Sequence, residues 1–525
     1  MKKLPISIQT FESIVKRELI YVDKTPLIWK LVSKGQYYFF ARPRRFGKSL
    51  MLTTLKSFFQ GRKDLFEGLF IHDKEENWTV YPVIHIDYSL VDYRFSVELF
   101  NKTLVIHLKN IAEEYDVELI NNEPSTCFTE LVNKLGEKYQ QQIVVLVDEY
   151  DKPMVDLLTK EERFRENRAV LSNLYGAMKA LDGHFRFVML TGVSRFAKVN
   201  VFSGMNNLED ISMDDQFATL AGFTQTELET SFADWLELLR QKFEMPMEEL
   251  LEHIRFWYNG FCFDGVHKLY NPFSILNLFS KLDFGNYWFS SGTPTFLIDL
   301  ITEQKHLPET FEGIKVADLT GSTSKITNLP LIPLLYQTGY LAIDKTERDG
   351  LRKYYYLGYP NEEVRYSFLT YLAAGFVGKD QYEIQPEAIG LRDALREERA
   401  ADFIKHLQSF FANIPARLHI PQEAYYHSLA YLVLRLVGVH LFLEKETSKG
   451  RIDAVLELPD KIYVIEFKFG KVEGRIKKVE TLAQNALQQI EERQYHQPYL
   501  SSGKKVILFG IGFLEKELAG GWKVL

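Results

Sequence analysis

Apolar runs of four to six residues alternate with amphipathic stretches over the first part of the chain. Tyr37–Phe40, Val83–Ile86, Ile143–Val147 and Phe185–Leu190 read as buried strands, and the stretches between them as helices. That alternation predicts an α/β unit built on a mainly parallel sheet. From 224 to 257 helical periodicity takes over, with Leu236, Leu239, Phe243, Leu250, Ile254 and Trp257 among the apolar positions. Residues 258 to 380 are rich in aromatics, Gly, Pro and Asn, which predicts short strands and helices in a lid or connector. The polar stretch 302–330 is the best linker candidate. From Pro386 onward helices lead into a β-rich unit between His440 and Phe469, then a helix (Val479–Gln494) and a strand (Lys504–Gly510). Three parts are expected: 1–215, a helical or winged connector at 216–385, and 386–525.

Composition narrows the class. At 525 residues and 61.2 kDa the chain is too long for one core, and its 46% hydrophobic and 25% charged content is that of a globular protein. The formal net charge of -7 gives no global cationic signal, so a nucleic-acid partner has to be met by a local basic patch. Cys127 and Cys262 are too few for a disulfide framework and fit a reducing cytoplasm. Met1–Pro5 leads into no apolar signal region, and the apolar stretch Leu429–Leu443 is broken by Arg435 and His440. A soluble cytoplasmic protein without a membrane partner is expected.

The first chemical cluster follows the first strand. Tyr37–Phe40 runs into Arg42-Pro43-Arg44-Arg45-Phe46-Gly47-Lys48-Ser49, and a helical pattern continues from Leu50. A phosphate loop needs backbone N–H groups at a helix N-terminus, a lysine for the β- and γ-phosphates and a hydroxyl for Mg2+. Gly47, Lys48 and Ser49 match that pattern, while Arg42 stands at the usual first glycine. Ile143–Val147 ends in Asp148-Glu149, where an aspartate can hold Mg2+ and the adjacent glutamate can polarise an attacking water. Phe185–Leu190 ends in Thr191-Gly192-Val193-Ser194-Arg195. Thr191 or Ser194 is placed to orient a water beside the γ-phosphate, and Arg195 to sense phosphate charge. An ordinary polar turn with a surface arginine is the competing reading.

These segments, with Tyr21-Val22-Asp23-Lys24-Thr25, Val147-Asp148-Glu149-Tyr150-Asp151-Lys152-Pro153, Trp257-Tyr258-Asn259-Gly260, Tyr270-Asn271-Pro272-Phe273-Ser274 and Tyr287–Pro294, resemble the AAA-ATPase-like family of bacteria and archaea. That family is often fused to a C-terminal PD-(D/E)XK nuclease domain, and the resemblance covers most of the chain. It implies a P-loop NTPase fold, a parallel sheet flanked by helices, with ATP and Mg2+ as cofactors. It also implies that Arg42 belongs to the family's own form of the loop. By resemblance Lys48 and Ser49 bind phosphate and Mg2+, Asp148 coordinates the metal and Glu149 is the base. Arg44 and Arg45 are further phosphate or partner-subunit contacts, or plain surface arginines.

The second cluster can be tested by register. Arg451–Leu458 and Lys461–Lys468 are strand-like and joined at Pro459-Asp460. A hairpin symmetric about that dipeptide puts Asp453 opposite Glu466, and Ile452, Ala454 and Leu456 opposite Phe467, Ile465 and Tyr463. Side chains alternate along a strand, so Asp453, Glu466 and Lys468 share one face and the apolar row the other. Opposed Cβ atoms lie about 4.5–5.5 Å apart, within reach of a single cation. Two carboxylates holding Mg2+, or Mn2+ in its place, with a lysine beside the developing charge, suit phosphodiester hydrolysis. A surface hairpin with an acid pair is the competing reading, and facing like charges are destabilising unless a cation joins them.

This hairpin resembles the PD-(D/E)XK core, Asp453 standing for the first acid and Glu466-Phe467-Lys468 for the second motif. The resemblance implies a restriction-endonuclease-like α/β domain and a glutamate on the preceding helix, for which Glu423 is the candidate. His427 lies one turn on, Gln489 is a candidate contact to the substrate backbone, and Lys471, Arg475, Lys477 and Lys478 are a candidate basic patch. The leading expectation is an ATP-dependent, metal-dependent nuclease, with DNA ahead of RNA as substrate. A nucleotide-switched binding or assembly module with a weak or inactive nuclease is the alternative. An ATPase acting on a protein through the aromatic residues 257–300 is a third, and a homo-oligomer is left open.

Overall fold

The four apolar runs become strands of one parallel sheet. β1 (Tyr37–Ala41), β2 (Val83–Asp87), β3 (Ile143–Asp148), β4 (Phe185–Gly192) and the short β5 (Glu209–Asp210) lie in the order β2-β3-β4-β1-β5, every pairing parallel. β3 is buried from end to end, which is why its sequence is uniformly apolar rather than alternating. Helices Lys48–Phe59, Val97–Glu113, Pro124–Tyr139 and Glu161–Ala180 flank the sheet. Parallel pairing sends the carboxyl ends of all five strands to one edge, where residues separated widely in sequence meet. The computed structural model describes residues 1–158, 160–195, 207–290, 297–298, 300–301, 311–319, 330–378, 380–412, 414, 423–437, 440–447, 450–470, 478–514 and 517–525. At 290, 381, 423–425, 427–428, 440–447 and 450–451 only the backbone is described.

Two compact units account for the chain, one of Met1–Ser291 with Gly313–Val364 and one of Gly292–Glu312 with Arg365–Leu525. In the first unit, helices Gln225–Ser231, Ala233–Phe243, Met247–Tyr258 and Pro272–Lys281 share a core that includes Leu228, Phe232, Leu239, Leu250, Ile254 and Phe279. A hairpin, β6 (Asn259–Cys262) and β7 (Lys268–Tyr270), follows the third of these helices. β8 (Ile314–Val316), β9 (Ala342–Asp349) and β10 (Arg352–Gly358) form an antiparallel sheet in the order β8-β10-β9. β8 falls inside the stretch expected as a linker, because Ile314 and Val316 find strand partners in Leu357 and Tyr355.

The second unit carries β11 (His440–Thr447), β12 (Gly450–Glu457), β13 (Lys461–Gly470), β14 (Lys505–Leu514) and β15 (Glu517–Val524), paired in sequence order. Only β13 and β14 are parallel, and helix Val479–Glu492 makes the crossover between them. The strand expected to end at Gly510 runs on to Leu514, since Ile511 and Phe513 stay buried beside β13. The helix expected to reach Gln494 stops at Glu492, Gln494 having turned to φ 54°. Among the described residues no helix is long and apolar enough to cross a membrane.

The crossover helix lies very close to β14 because Gly510 and Gly512 carry no Cβ. A methyl at Gly510 would overlap the Ala483 carbonyl and the Leu487 nitrogen of that helix. Gly510→Ala is therefore expected to destabilise the second unit by about 1–3 kcal/mol, the usual scale of overpacking. Gly521→Ala, whose nearest neighbour would be Leu487 Cδ2 at 3.8 Å, should leave it unchanged. Calorimetric unfolding of the two variants checks the difference.

Candidate active sites

The loop leaving β1 reaches the carboxyl edge of the sheet and turns into helix Lys48–Phe59 through Gly47, whose φ of 96° suits a residue without a side chain. Arg45 takes a left-handed φ of 66° in the same loop without that freedom. The Lys48 ammonium turns back and donates to the carbonyls of Arg42 (2.9 Å) and Pro43 (3.0 Å). Burial depresses its pKa, against the pull of the Asp148, Glu149 and Asp151 carboxylates. Ser49 follows, half-buried on the first turn.

Arg42, the residue at the expected glycine position, is 1% exposed. Its guanidinium donates to the carbonyls of Ala41 (2.9 Å), Ser212 (2.7 Å) and Ala218 (3.0 Å). It also lies 4.4 Å from the centre of the Phe40 ring and 4.2 Å from that of Phe263. Burial lowers its pKa to about 10, which still leaves it charged at neutral pH. Arg42 is thus a carbonyl clamp that ties the loop to residues 212–218.

Across the edge, Asp148 is buried and accepts from the Thr191 hydroxyl (2.6 Å) and the Glu149 backbone N–H (3.0 Å). Glu149 sits at φ 51° and pairs with Lys152 (2.7 Å) while accepting from Ser89 (3.1 Å). Burial alone would raise its pKa; Lys152, Lys48 and Ser89 outweigh that and hold it below the usual value. Asp151 was not singled out by sequence, yet it is buried and accepts from the Val193 N–H (3.2 Å) and from the N–H and hydroxyl of Ser194 (both 2.6 Å). Burial pushes its pKa up against those donors. Its place three residues after Asp148 was the available signal. Lys48, Asp148, Glu149 and Thr191 are brought together. The Arg195 guanidinium is engaged elsewhere, with Asp210 on β5 (2.8 and 3.0 Å). Arg44 and Arg45 are exposed, Arg44 at 4.0 Å from Asp156 and Arg45 at 5.1 Å from the Phe273 ring centre.

In the second unit β12 and β13 pair in the expected register, with Ala454 opposite Ile465, Val455 opposite Val464 and Leu456 opposite Tyr463. The expectation of one apolar and one polar face needs correction. Val455, Ile462 and Val464, on the acid-bearing face, are buried in a core with Ile490 and Tyr495, so both faces are apolar. The acids lie where this ladder ends. Beyond Ala454 and Ile465, the Asp453 carboxylate accepts from the Phe467 N–H (2.8 Å), while β13 continues beside β14.

Glu466 is 3% exposed, and one of its oxygens accepts from the Gln489 side-chain amide and lies 3.7 Å from the Lys468 ammonium. Its other oxygen, Oε2, is buried without a hydrogen-bond partner among the described residues. Burial, then the charge of Asp453, pushes its pKa up to about 8, with Lys468 opposing. A buried Glu466 beside a half-buried Asp453, with one Glu466 oxygen open among the described residues, fits a divalent cation. Among the described residues no cage of three or more His, Cys, Asp or Glu is gathered, and Mg2+ commonly needs only one or two protein carboxylates. Glu423 opens helix Glu423–Leu436, but its side chain and that of His427 lie outside the described residues, as do Lys471, Arg475 and Lys477. Lys478 is exposed.

Comparison with known proteins follows the same division. Residues 5–202 match the AAA-ATPase-like family, described as a predicted AAA-ATPase, and residues 421–522 match the PD-(D/E)XK nuclease superfamily. Over 519 residues the chain is 37% identical to "Uncharacterized protein in vnfD 5'region" of Azotobacter chroococcum mcd 1, spanning 98% of this chain and 96% of that one. The chain belongs to the AAA-ATPase-like family with a C-terminal PD-(D/E)XK nuclease domain. In this AAA-ATPase-like protein the first match ends shortly after β4, and the second takes in β11 to β14 and most of β15.

The raised pKa of Glu466 has a stability consequence. Its folded-state value, about 8, lies above the ordinary carboxyl value of 4.5, so the folded chain binds the extra proton between them. Stability from this group is full below the ordinary value and is lost as pH rises through about 8. Without divalent ions, Glu466→Gln should therefore match the parent near pH 4.5 and exceed it by about 2–4 kcal/mol at pH 9. Added Mg2+ should narrow that gap. Thermal unfolding across pH, with EDTA or Mg2+, measures it.

Proposed function

We propose that this protein binds ATP at the loop 42–49 and couples it to metal-dependent cleavage of nucleic-acid phosphodiester bonds in its C-terminal domain. Domains of these two families support an ATPase coupled to a nuclease in general. The observation that carries the finer reading is the buried Glu466 beside Asp453, with Glu466 Oε2 open among the described residues and the Lys468 ammonium beside it. A Mg2+ or Mn2+ ion held by Asp453 and Glu466, with Glu423 as a further ligand, would supply Lewis-acid polarisation of the phosphodiester. Phe467 N–H fixes the Asp453 carboxylate and the Gln489 amide orients Glu466. Lys468 stays half-exposed, free to face the negative charge that develops on the phosphate.

At the first site Lys48 meets the β- and γ-phosphates, Ser49 and Asp148 hold the nucleotide's Mg2+, and Glu149 is the base. Thr191 keeps Asp148 oriented through its 2.6 Å bond. Arg44 and Arg45 are exposed and available to phosphate, while Arg195 holds Asp210 through Nε and Nη2 and keeps Nη1 without a bond among the described residues. A nucleotide-switched binding module is the second reading. The engagement of Lys48 by its own loop favours it, because nucleotide meets a lysine already bonded to two carbonyls.

Two variants separate the sites. Lys468→Ala should lower Mg2+-dependent cleavage of a DNA and RNA panel by roughly a hundredfold or more, with unfolding temperature unchanged. Parental cleavage by that variant would sink the nuclease assignment. Lys48→Ala should abolish ATP binding in a calorimetric titration while leaving the fold intact; undiminished binding would remove the nucleotide site from residues 47–49.

A further inference from the structure

Three family motifs play no part in the chemistry above: Trp257-Tyr258-Asn259-Gly260, Tyr270-Asn271-Pro272-Phe273-Ser274 and the segment around Trp288. Two of them meet at one carbonyl of the phosphate loop. The Arg44 oxygen accepts from the Trp288 indole N–H (3.0 Å) and from the Asn271 side-chain amide (3.3 Å). Asn271 is itself fixed as the cap of helix Pro272–Lys281, accepting from the Phe273 N–H (2.9 Å).

Trp288 is held from behind by a buried acid. Its backbone N–H donates to Glu363 Oε1 (2.6 Å), and the Ser274 hydroxyl donates to Glu363 Oε2 (2.7 Å). Glu363 is 0% and Trp288 5% exposed. The third motif secures the chain that carries Glu363. Gly260, at φ 125°, passes so near Pro360 that any side chain there would overlap its carbonyl, and the Asn361 amide donates to the Tyr258 carbonyl (2.9 Å). A buried carboxyl is expensive to keep unless its donors do something for the fold or the site. Here its donors lead, through one indole, to the phosphate loop.

Three successive carbonyls of that loop are thus capped. Lys48 takes those of Arg42 and Pro43; Trp288 and Asn271 take that of Arg44. The Lys48 ammonium has three N–H donors and gives two of them to those carbonyls, which leaves one for a nucleotide phosphate. A shift of Lys48 toward phosphate would stretch its bonds to the Arg42 and Pro43 carbonyls, while the Arg44 carbonyl keeps donors of its own.

We propose that Trp288, locked by Glu363, is a positioning residue for the phosphate loop: it anchors the Arg44 carbonyl while Lys48 engages nucleotide, and so registers occupancy of the loop. The proposal rests on the nucleotide-binding reading of residues 42–49. Trp288→Phe removes the indole donor and keeps an aromatic ring against Phe261 and Tyr340. Glu363→Gln keeps an acceptor for the Trp288 N–H and a partner for Ser274, whereas Glu363→Ala keeps neither.

The test uses the full chain with ADP and Mg2+, read by calorimetric titration and by tryptophan emission. The chain has six tryptophans, so emission persists when one is replaced. The parent should show an ADP-dependent emission change that Trp288→Phe loses. Trp288→Phe and Glu363→Ala should bind ADP about tenfold more weakly, the scale of one lost buried hydrogen bond, while Glu363→Gln stays within about twofold of the parent. If Glu363→Ala does not fold, Trp288→Phe and Glu363→Gln carry the comparison. Parental affinity in Trp288→Phe, with the emission change retained, overturns the proposal; if Lys48→Ala then still loses ADP, the nucleotide reading stands. A parent that binds no ADP overturns both.

Discussion

The carbonyls of Arg42, Pro43 and Arg44 leave the end of β1 in succession and enter protein rather than water. Each needs a donor, and the rest of the first unit is arranged to provide one. Lys48 folds back on two of them, and Trp288 and Asn271 reach the third from a distant part of the sequence. The Arg42 side chain works in the other direction, donating to the carbonyls of Ala41, Ser212 and Ala218. Leaving such groups unpaired would cost about 1–3 kcal/mol each. The loop therefore cannot be separated energetically from the helices and hairpins that follow the sheet, and its conformation is a property of the whole first unit.

The C-terminal site meets the same constraint with the opposite result. Asp453 has its N–H donor from Phe467, and one Glu466 oxygen has Gln489, but the second oxygen is buried and unpartnered among the described residues. A proton is the simplest remedy, which is why the pKa rises to about 8. A divalent cation is the other remedy, and it also relieves the repulsion from Asp453. The first site is thus closed on itself before ligand arrives, and the second is incomplete without one.

Much of this was legible in the sequence, for physical reasons that can be named. Apolar runs marked β1 to β4, unbroken in β1 and β3 and interrupted only by the half-buried His85 in β2 and Arg186 in β4, since a strand buried on both faces leaves little room for polar residues. The register of β12 on β13 followed from symmetry about Pro459-Asp460 and matches residue for residue from Ala454 to Glu457. The two-faced burial of that hairpin was not legible, because Val455 and Val464 become core only when helix Val479–Glu492 folds onto them. Asp151, Asn271 and Glu363 were missed or left without a role for a related reason. Each earns its place through partners far away in sequence, such as Ser194, Arg44 and Trp288. Arg42 looked like a defect in a glycine pattern, and its value lies in the carbonyls of residues 212 and 218.

The contrast between the two sites bears on how ligands enter them. On the proposed reading, nucleotide at the loop meets a Lys48 already bonded to two carbonyls, so part of its binding energy would go into adjusting those bonds. On the same reading, a cation at Glu466 would displace a proton, so its affinity would be tied to pH. Gln489 and the Phe467 N–H already hold the two carboxylates in position for that exchange. On that reading, conformational response belongs to the proposed nucleotide site and preorganisation to the proposed nuclease site. That division suits a chain in which one ligand sets the state of the protein and the other performs chemistry within it.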